Sequence, residues 1–122
     1  MRGTALYPFV PSGPAFETSI AFFVGLGFVK EWQHDGLAGL RFGAAYFMLQ
    51  QIDVPEWQKN QMIVIEVDDL DSWWSATDAK KLGDKFAGVR FNPPKDFPWG
   101  REVHFIDPAG VCWHVRQGQV PR

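Results

Sequence analysis

Hydrophobic and polar positions alternate with a period of two along most of this chain and switch to helical spacing in two places. Residues 6–10 are apolar and rich in β-formers, and predict a first strand broken by Pro11-Ser12-Gly13-Pro14. Phe16, Ile20, Phe23 and Val24 then recur at helical spacing, and Gly25 with Gly27 supplies a stop. Residues 28–33 predict a strand, His34-Asp35-Gly36 a turn, and residues 38–42 and 45–52 two further strands. This makes one βαβββ module, spanning about residues 1–54.

The pattern returns in a second module over about residues 60–118. Residues 62–67 predict a strand. Residues 68–82 predict a helix whose acidic start suits the helix dipole, and Leu82-Gly83 repeats the stop of Leu26-Gly27, 56 residues later. Residues 92–98 are extra length, and their proline density predicts a stiff loop rather than a strand. Residues 55–60 connect the modules. Asp107-Pro108-Ala109-Gly110 is turn chemistry, with Pro108 presetting φ and Gly110 tolerating positive φ, so residues 100–106 and 111–116 read as a hairpin.

The whole of 1–122 is therefore expected to be one α+β domain, with two βαβββ modules forming a curved mixed sheet, helices outside and a cleft on the concave face. The period of two sorts the strands. Phe47, Leu49, Ile63, Ile65, Val67, Val103, Phe105, Trp113 and Val115 take the helix side. Tyr46, Met48, Gln50, Met62, Val64, Glu66, Glu102, His104, Cys112 and His114 take the cleft side.

Composition narrows the function classes. Twelve basic and fourteen acidic residues give a net charge of −2 with no basic cluster, so no nucleic-acid surface is indicated. Cys112 is the single cysteine, which excludes an intrachain disulfide and points to a reducing, cytoplasmic address. No apolar run reaches the ~20 residues of a membrane helix. Aromatic content is the outlier: six Trp, eleven Phe and two Tyr make 16% of the chain. A flat hydrophobic ligand would account for what a core does not need.

Several stretches together carry a family resemblance: Pro98-Trp99-Gly100-Arg101-Glu102 ahead of Asp107-Pro108-Ala109-Gly110, Leu26-Gly27-Phe28 at the helix end, and Ala38-Gly39-Leu40 before Tyr46-Phe47-Met48-Leu49. The chain resembles the bleomycin-resistance branch of the glyoxalase/bleomycin resistance/dioxygenase (vicinal oxygen chelate) superfamily. The resemblance implies that fold, and a homodimer, strand-swapped near Pro8, that encloses flat, cationic, metal-chelating antibiotics and sequesters them without turnover. It also implies that Trp99 is the stacking tryptophan and that Trp32 lies at an aromatic position, with Leu37 where the family has a second stacking ring. Superfamily enzymes take metal ligands from the first, fourth, fifth and eighth strands. Here the first strand has no His, Asp or Glu, Met48 and Met62 occupy the fourth and fifth positions, and His114 alone is retained, where a catalytic metal needs about three protein ligands.

No metal and no cofactor are therefore expected. The expected ligand-binding residues are Trp99, Glu66, Trp32, Leu37, Tyr46, Met48, Met62, Val64, Glu102, His104, Cys112 and His114. Aromatic planes stack a flat ligand, and carboxylates such as Glu66 and Glu102 attract its positive charge or pair with a neighbouring base such as His104. The partners expected are such a ligand and a second copy of the chain, with no nucleic acid and no membrane. Two alternatives stand beside sequestration. One is an enzyme, a lyase or thiol transferase, around His104, Cys112 and His114. The other is an interaction module that uses surface tryptophans, with Trp73 and Trp74 adjacent on a helix that cannot turn both to the core.

Overall fold

The structure, a computed structural model, describes residues 1–118. The first module holds β1 (Phe9–Pro11), α1 (Phe16–Leu26), β2 (Val29–His34), β3 (Leu37–Phe42) and β4 (Ala45–Gln50). A short helix, α2 (Pro55–Gln58), leads to the second module: β5 (Met62–Val67), α3 (Leu70–Ala76), α4 (Ala79–Lys85), β6 (Arg90–Phe97), β7 (Gly100–Ile106) and β8 (Cys112–Gln117). Each module closes its own four-stranded sheet, in the orders β1-β4-β3-β2 and β5-β8-β7-β6. In both, the first strand runs parallel to the last and the other pairs are antiparallel. The internal repeat is thus a repeat of topology.

Turn chemistry sets the registers. Asp35 and Gly36 both have positive φ, 49° and 74°, the two-residue loop that matches strand twist, and His34 pairs with Leu37 across it. In the β7–β8 turn the buried Asp107 carboxylate accepts from Ala109 N at 2.9 Å, Val111 N at 3.0 Å and the Trp113 indole at 2.9 Å. One acid thereby ties the turn to a core tryptophan.

The period-of-two sorting holds. Phe47, Leu49, Ile65, Val103, Phe105, Trp113 and Val115 are all buried, in one core that both sheets share. Helix α1 bridges the sheets: Phe23 packs on Phe47 at 5.0 Å and on Trp113 at 5.2 Å, and Phe22 on Phe105 at 5.9 Å. Its buried stripe takes Phe22 and Leu26, while Val24 faces outward. Gln58 in the connector is also buried and donates to Ala109 O at 3.0 Å, locking α2 onto the β7–β8 turn.

Four expectations are corrected. The first strand begins at Phe9, leaving Leu6 and Tyr7 exposed outside it. The helix expected over residues 68–82 is two helices: Thr77 Oγ1 bonds back to Trp73 O at 2.8 Å and Asp78 caps Lys81 N at 3.0 Å, so polar side chains compete with the helical ladder. Gly83 does not stop the second of them, which runs on to Lys85. The proline-rich segment lies within strand β6, not in a loop. It is the sheet edge, and the register shift between Asn92 and Lys95 places Pro93 and Pro94 where no ladder N–H is required.

Candidate functional site

The site grows from the β6–β7 hairpin. Phe97 pairs with Gly100, leaving Pro98 and Trp99 as a two-residue turn, and Gly100 has φ 147°. Arg101 anchors the hairpin by reaching Asp71 on α3 and Asp96 on β6, each at 3.1 Å. Trp99 is 55% exposed, and its indole stacks on Phe97 at 5.1 Å and 14°. Phe97 stacks on His104 at 5.2 Å, and His104 on His114 at 3.8 Å, so four rings form a ladder from β8 out to solvent. A cavity of about 510 Å³ opens beside it, lined by Phe97, Glu102, His104 and the Asn92-Pro93-Pro94-Lys95 bulge, within the size range of small-molecule sites.

Glu102 lies beneath the ladder and is 1% exposed. Strand register explains its company: Glu102 pairs with Arg116, and His104 with His114. The carboxylate accepts from Trp99 Nε1 at 2.8 Å, Arg116 Nε at 2.8 Å and His104 Nε2 at 2.7 Å, with His114 Nδ1 at 3.2 Å. Desolvation alone would raise its pKa. The bonds from His104, Arg116 and Trp99, with the Arg116 charge, outweigh burial and take it down to about 2. Glu102 is therefore an ionised, fully partnered structural acid rather than a carboxylate that waits for a cation. Burial and the neighbouring His104 lower the His114 pKa, so that imidazole favours its neutral form. Burial and the Asp107 charge push the Cys112 thiol up, which disfavours a thiolate nucleophile.

Metal binding can be tested on the donors themselves. Ligand atoms of Glu102, His104 and His114 lie within 4.8 Å of one another. The two imidazoles, however, are parallel to within 17°. Each nitrogen lone pair lies in its own ring plane, so one ion at about 2.0–2.1 Å from both nitrogens would sit out of at least one plane. Glu102 also already accepts from Trp99, Arg116 and His104, which occupy three of the roughly four lone-pair sites on its two oxygens. These residues do not fit a metal ion.

The remaining expected residues divide into two further groups. Trp32 donates to the Tyr46 hydroxyl at 2.7 Å, and Arg41 lies 4.7 Å over the Tyr46 ring. Gly39 makes room for that pair, since a Cβ there would run into the Trp32 indole nitrogen and the Tyr46 hydroxyl. Leu37 and Met48 are half-buried on the same sheet. Met62, Val64 and Glu66 are exposed on the edge strand β5, and Glu66 lines a separate hollow of about 780 Å³ with Trp73, Asp68 and Asp69. Among the described residues, no hydrogen bond or ring contact joins the Trp32–Tyr46 pair to the Trp99 ladder. Trp73 and Trp74 are both half-buried against the core, Trp74 near Phe91 at 6.1 Å, so α3 turns both adjacent rings toward it, contrary to expectation. Sequence reasoning missed Phe97 and Arg116 as site residues. Arg116 shares the strand face of His114, a signal within reach, whereas Phe97 was hidden in the supposed loop.

No protein-family model matches the sequence, and neither does any curated protein. Solved structures do match in fold. The bleomycin-binding protein from the bleomycin-producing Streptomyces verticillus, complexed with copper(II)-bleomycin, aligns with a TM-score of 0.78 and 24% identity, covering 98% of this chain and 99% of that one. A bleomycin resistance determinant encoded on the transposon Tn5 aligns with a TM-score of 0.80 and 21% identity over 97% of this chain and 100% of that one. The fosfomycin resistance protein FosX from Mesorhizobium loti aligns at 0.71 and 15% identity over 98% and 96%. Together with the paired βαβββ topology, these matches show that the chain has the fold of the bleomycin-binding and glyoxalase/bleomycin-resistance proteins.

Proposed function

We propose that this chain binds a flat, cationic antibiotic of the bleomycin type and sequesters it without chemical turnover. The observation that carries the reading is the ring ladder ending on exposed Trp99, where a heteroaromatic ligand adds as the next ring. Protection then needs only mass action, with protein in excess and slow dissociation. The buried Glu102, its charge already paired with Arg116, gives the ligand little charge attraction, so its affinity comes mainly from stacking and from π attraction for a cation.

The reading includes a homodimer. Met62 at 63%, Val64 at 45% and Phe9 at 49% exposure lie on outward faces of the sheets, and a second copy would bury them and bring a Trp32–Tyr46 pair opposite a Trp99 ladder. Exchange of the segment before Pro8 belongs to the same proposal. The dimer is tested by light scattering coupled to size exclusion.

The binding test is quenching of tryptophan emission by copper(II)-bleomycin and metal-free bleomycin. Trp99→Ala should remove most of the response. A second reading, an enzyme, draws on the Glu102–His104 bond of 2.7 Å, which orients an imidazole as a general base would require. Chemical change in a bound ligand would favour it.

A further inference from the structure

We propose that Glu102 is a positioning residue: its carboxylate holds the Trp99 indole in the plane that continues the ladder, and this hold confers the preference for flat ligands. The inference rests on Trp99 as the stacking face. Trp99 occupies a two-residue turn and is 55% exposed, so packing on Phe97 covers only one of its faces. Its polar anchor is the bond from Nε1 to Glu102 Oε2 at 2.8 Å. The acceptor is itself immobilised, because Arg116 Nε reaches the same oxygen at 2.8 Å and His104 Nε2 reaches the other at 2.7 Å. Constraint therefore passes from strands β7 and β8 through a buried carboxylate to a ring at the surface. A ligand that adds as the next ring needs the outermost indole held parallel to the rings beneath it before it arrives, and the 14° between Trp99 and Phe97 meets that requirement. Released from Glu102, the indole would turn about its side-chain bonds, leaving a greasy turn that takes apolar groups of any shape.

Two measurements on the full chain test this. In ¹⁵N–¹H spectra without ligand, Trp99→Phe identifies the Trp99 indole resonance. Glu102→Ala should move that resonance upfield and speed its exchange with water about tenfold, the loss of one charge-assisted bond, while Glu102→Gln, whose amide oxygen still accepts, should keep most of the protection. An indole resonance unmoved in Glu102→Ala overturns the proposal, and does so whatever the protein binds. The second measurement compares 9-aminoacridine, a flat cation, with tetrapropylammonium, which is not flat. Glu102→Ala should weaken 9-aminoacridine about tenfold and leave tetrapropylammonium within about twofold. Trp99→Phe takes one donor from the buried acid, leaves its bonds to Arg116 and His104 in place, and should show the same selective loss, even where Glu102→Ala does not fold. Equal losses for both probes overturn the role in specificity. Absence of binding of either probe to the unsubstituted chain counts against the sequestration reading, while the indole resonance still decides the hold of Glu102 on Trp99.

Discussion

The imidazoles of His104 and His114 lie face to face across β7 and β8, 3.8 Å apart and 17° from parallel, beside the Glu102 carboxylate. Burial penalises the charged form of His114, and a second cation at that spacing adds repulsion, which is why His114 favours the neutral form. His114 should therefore titrate below 6.5 in NMR spectra. His104→Ala removes the like charge and should move the titration of His114 upward; a downward move or no move would contradict the account.

Glu102 makes stability sensitive to acid. Its folded pKa, about 2, lies below the ordinary 4.5, so its contribution is fully present above pH 4.5 and is lost as pH falls toward 2. His114 acts in the same direction from a higher starting point, because the unfolded chain takes up a proton below about pH 6.5 that the folded chain resists. Asp107 opposes them between about pH 6 and pH 3.8, because burial raises its folded pKa to about 6 and the folded chain takes up that proton first. Urea midpoints should therefore fall most steeply below about pH 4, and Glu102→Gln should flatten that portion.

Asp107 holds the β7–β8 turn through three N–H donors, one of them the indole of buried Trp113. An asparagine there offers one acceptor oxygen and sets an NH₂ against N–H groups. Asp107→Asn should cost about 2–3 kcal/mol in chemical denaturation, the scale of a lost charged bond with a buried donor left unpaired. A cost below about 0.5 kcal/mol would show that the turn does not depend on this carboxylate.

Gly39 is the floor of the Trp32–Tyr46 pair. Gly39→Ala should push Trp32 off Tyr46, cost about 1–3 kcal/mol by overpacking, and shift tryptophan emission to the red as the indole enters water. An unchanged spectrum would mean that the two rings are not seated on this backbone.

Much of the architecture is legible from alternation and turn chemistry. Asp35-Gly36 and Asp107-Pro108-Ala109-Gly110 mark hairpins whose strands then sort by period of two, and Val103, Phe105 and Trp113 all fall on the core side as expected. Pro93 and Pro94 conceal β6, because their missing N–H groups forbid a central strand while an edge with a bulge tolerates them. The site is less legible. Along its own strand Glu102 reads either as a cation-attracting acid or as the partner of a neighbouring-strand base, and the cross-strand register that sets Arg116 opposite it, and His114 opposite His104, decides for the second. Phe97 joins the ladder through a hairpin that single-strand patterns do not reveal.

Sequestration without turnover is tested most directly by holding copper(II)-bleomycin with an equimolar amount of the purified chain, following tryptophan emission to saturation, then unfolding the protein and weighing the ligand by mass spectrometry. The account predicts saturable quenching, most of which Trp99→Ala removes, and ligand returned at unchanged mass and full yield. Ligand returned altered, or emission indifferent to every flat cation offered, would contradict it.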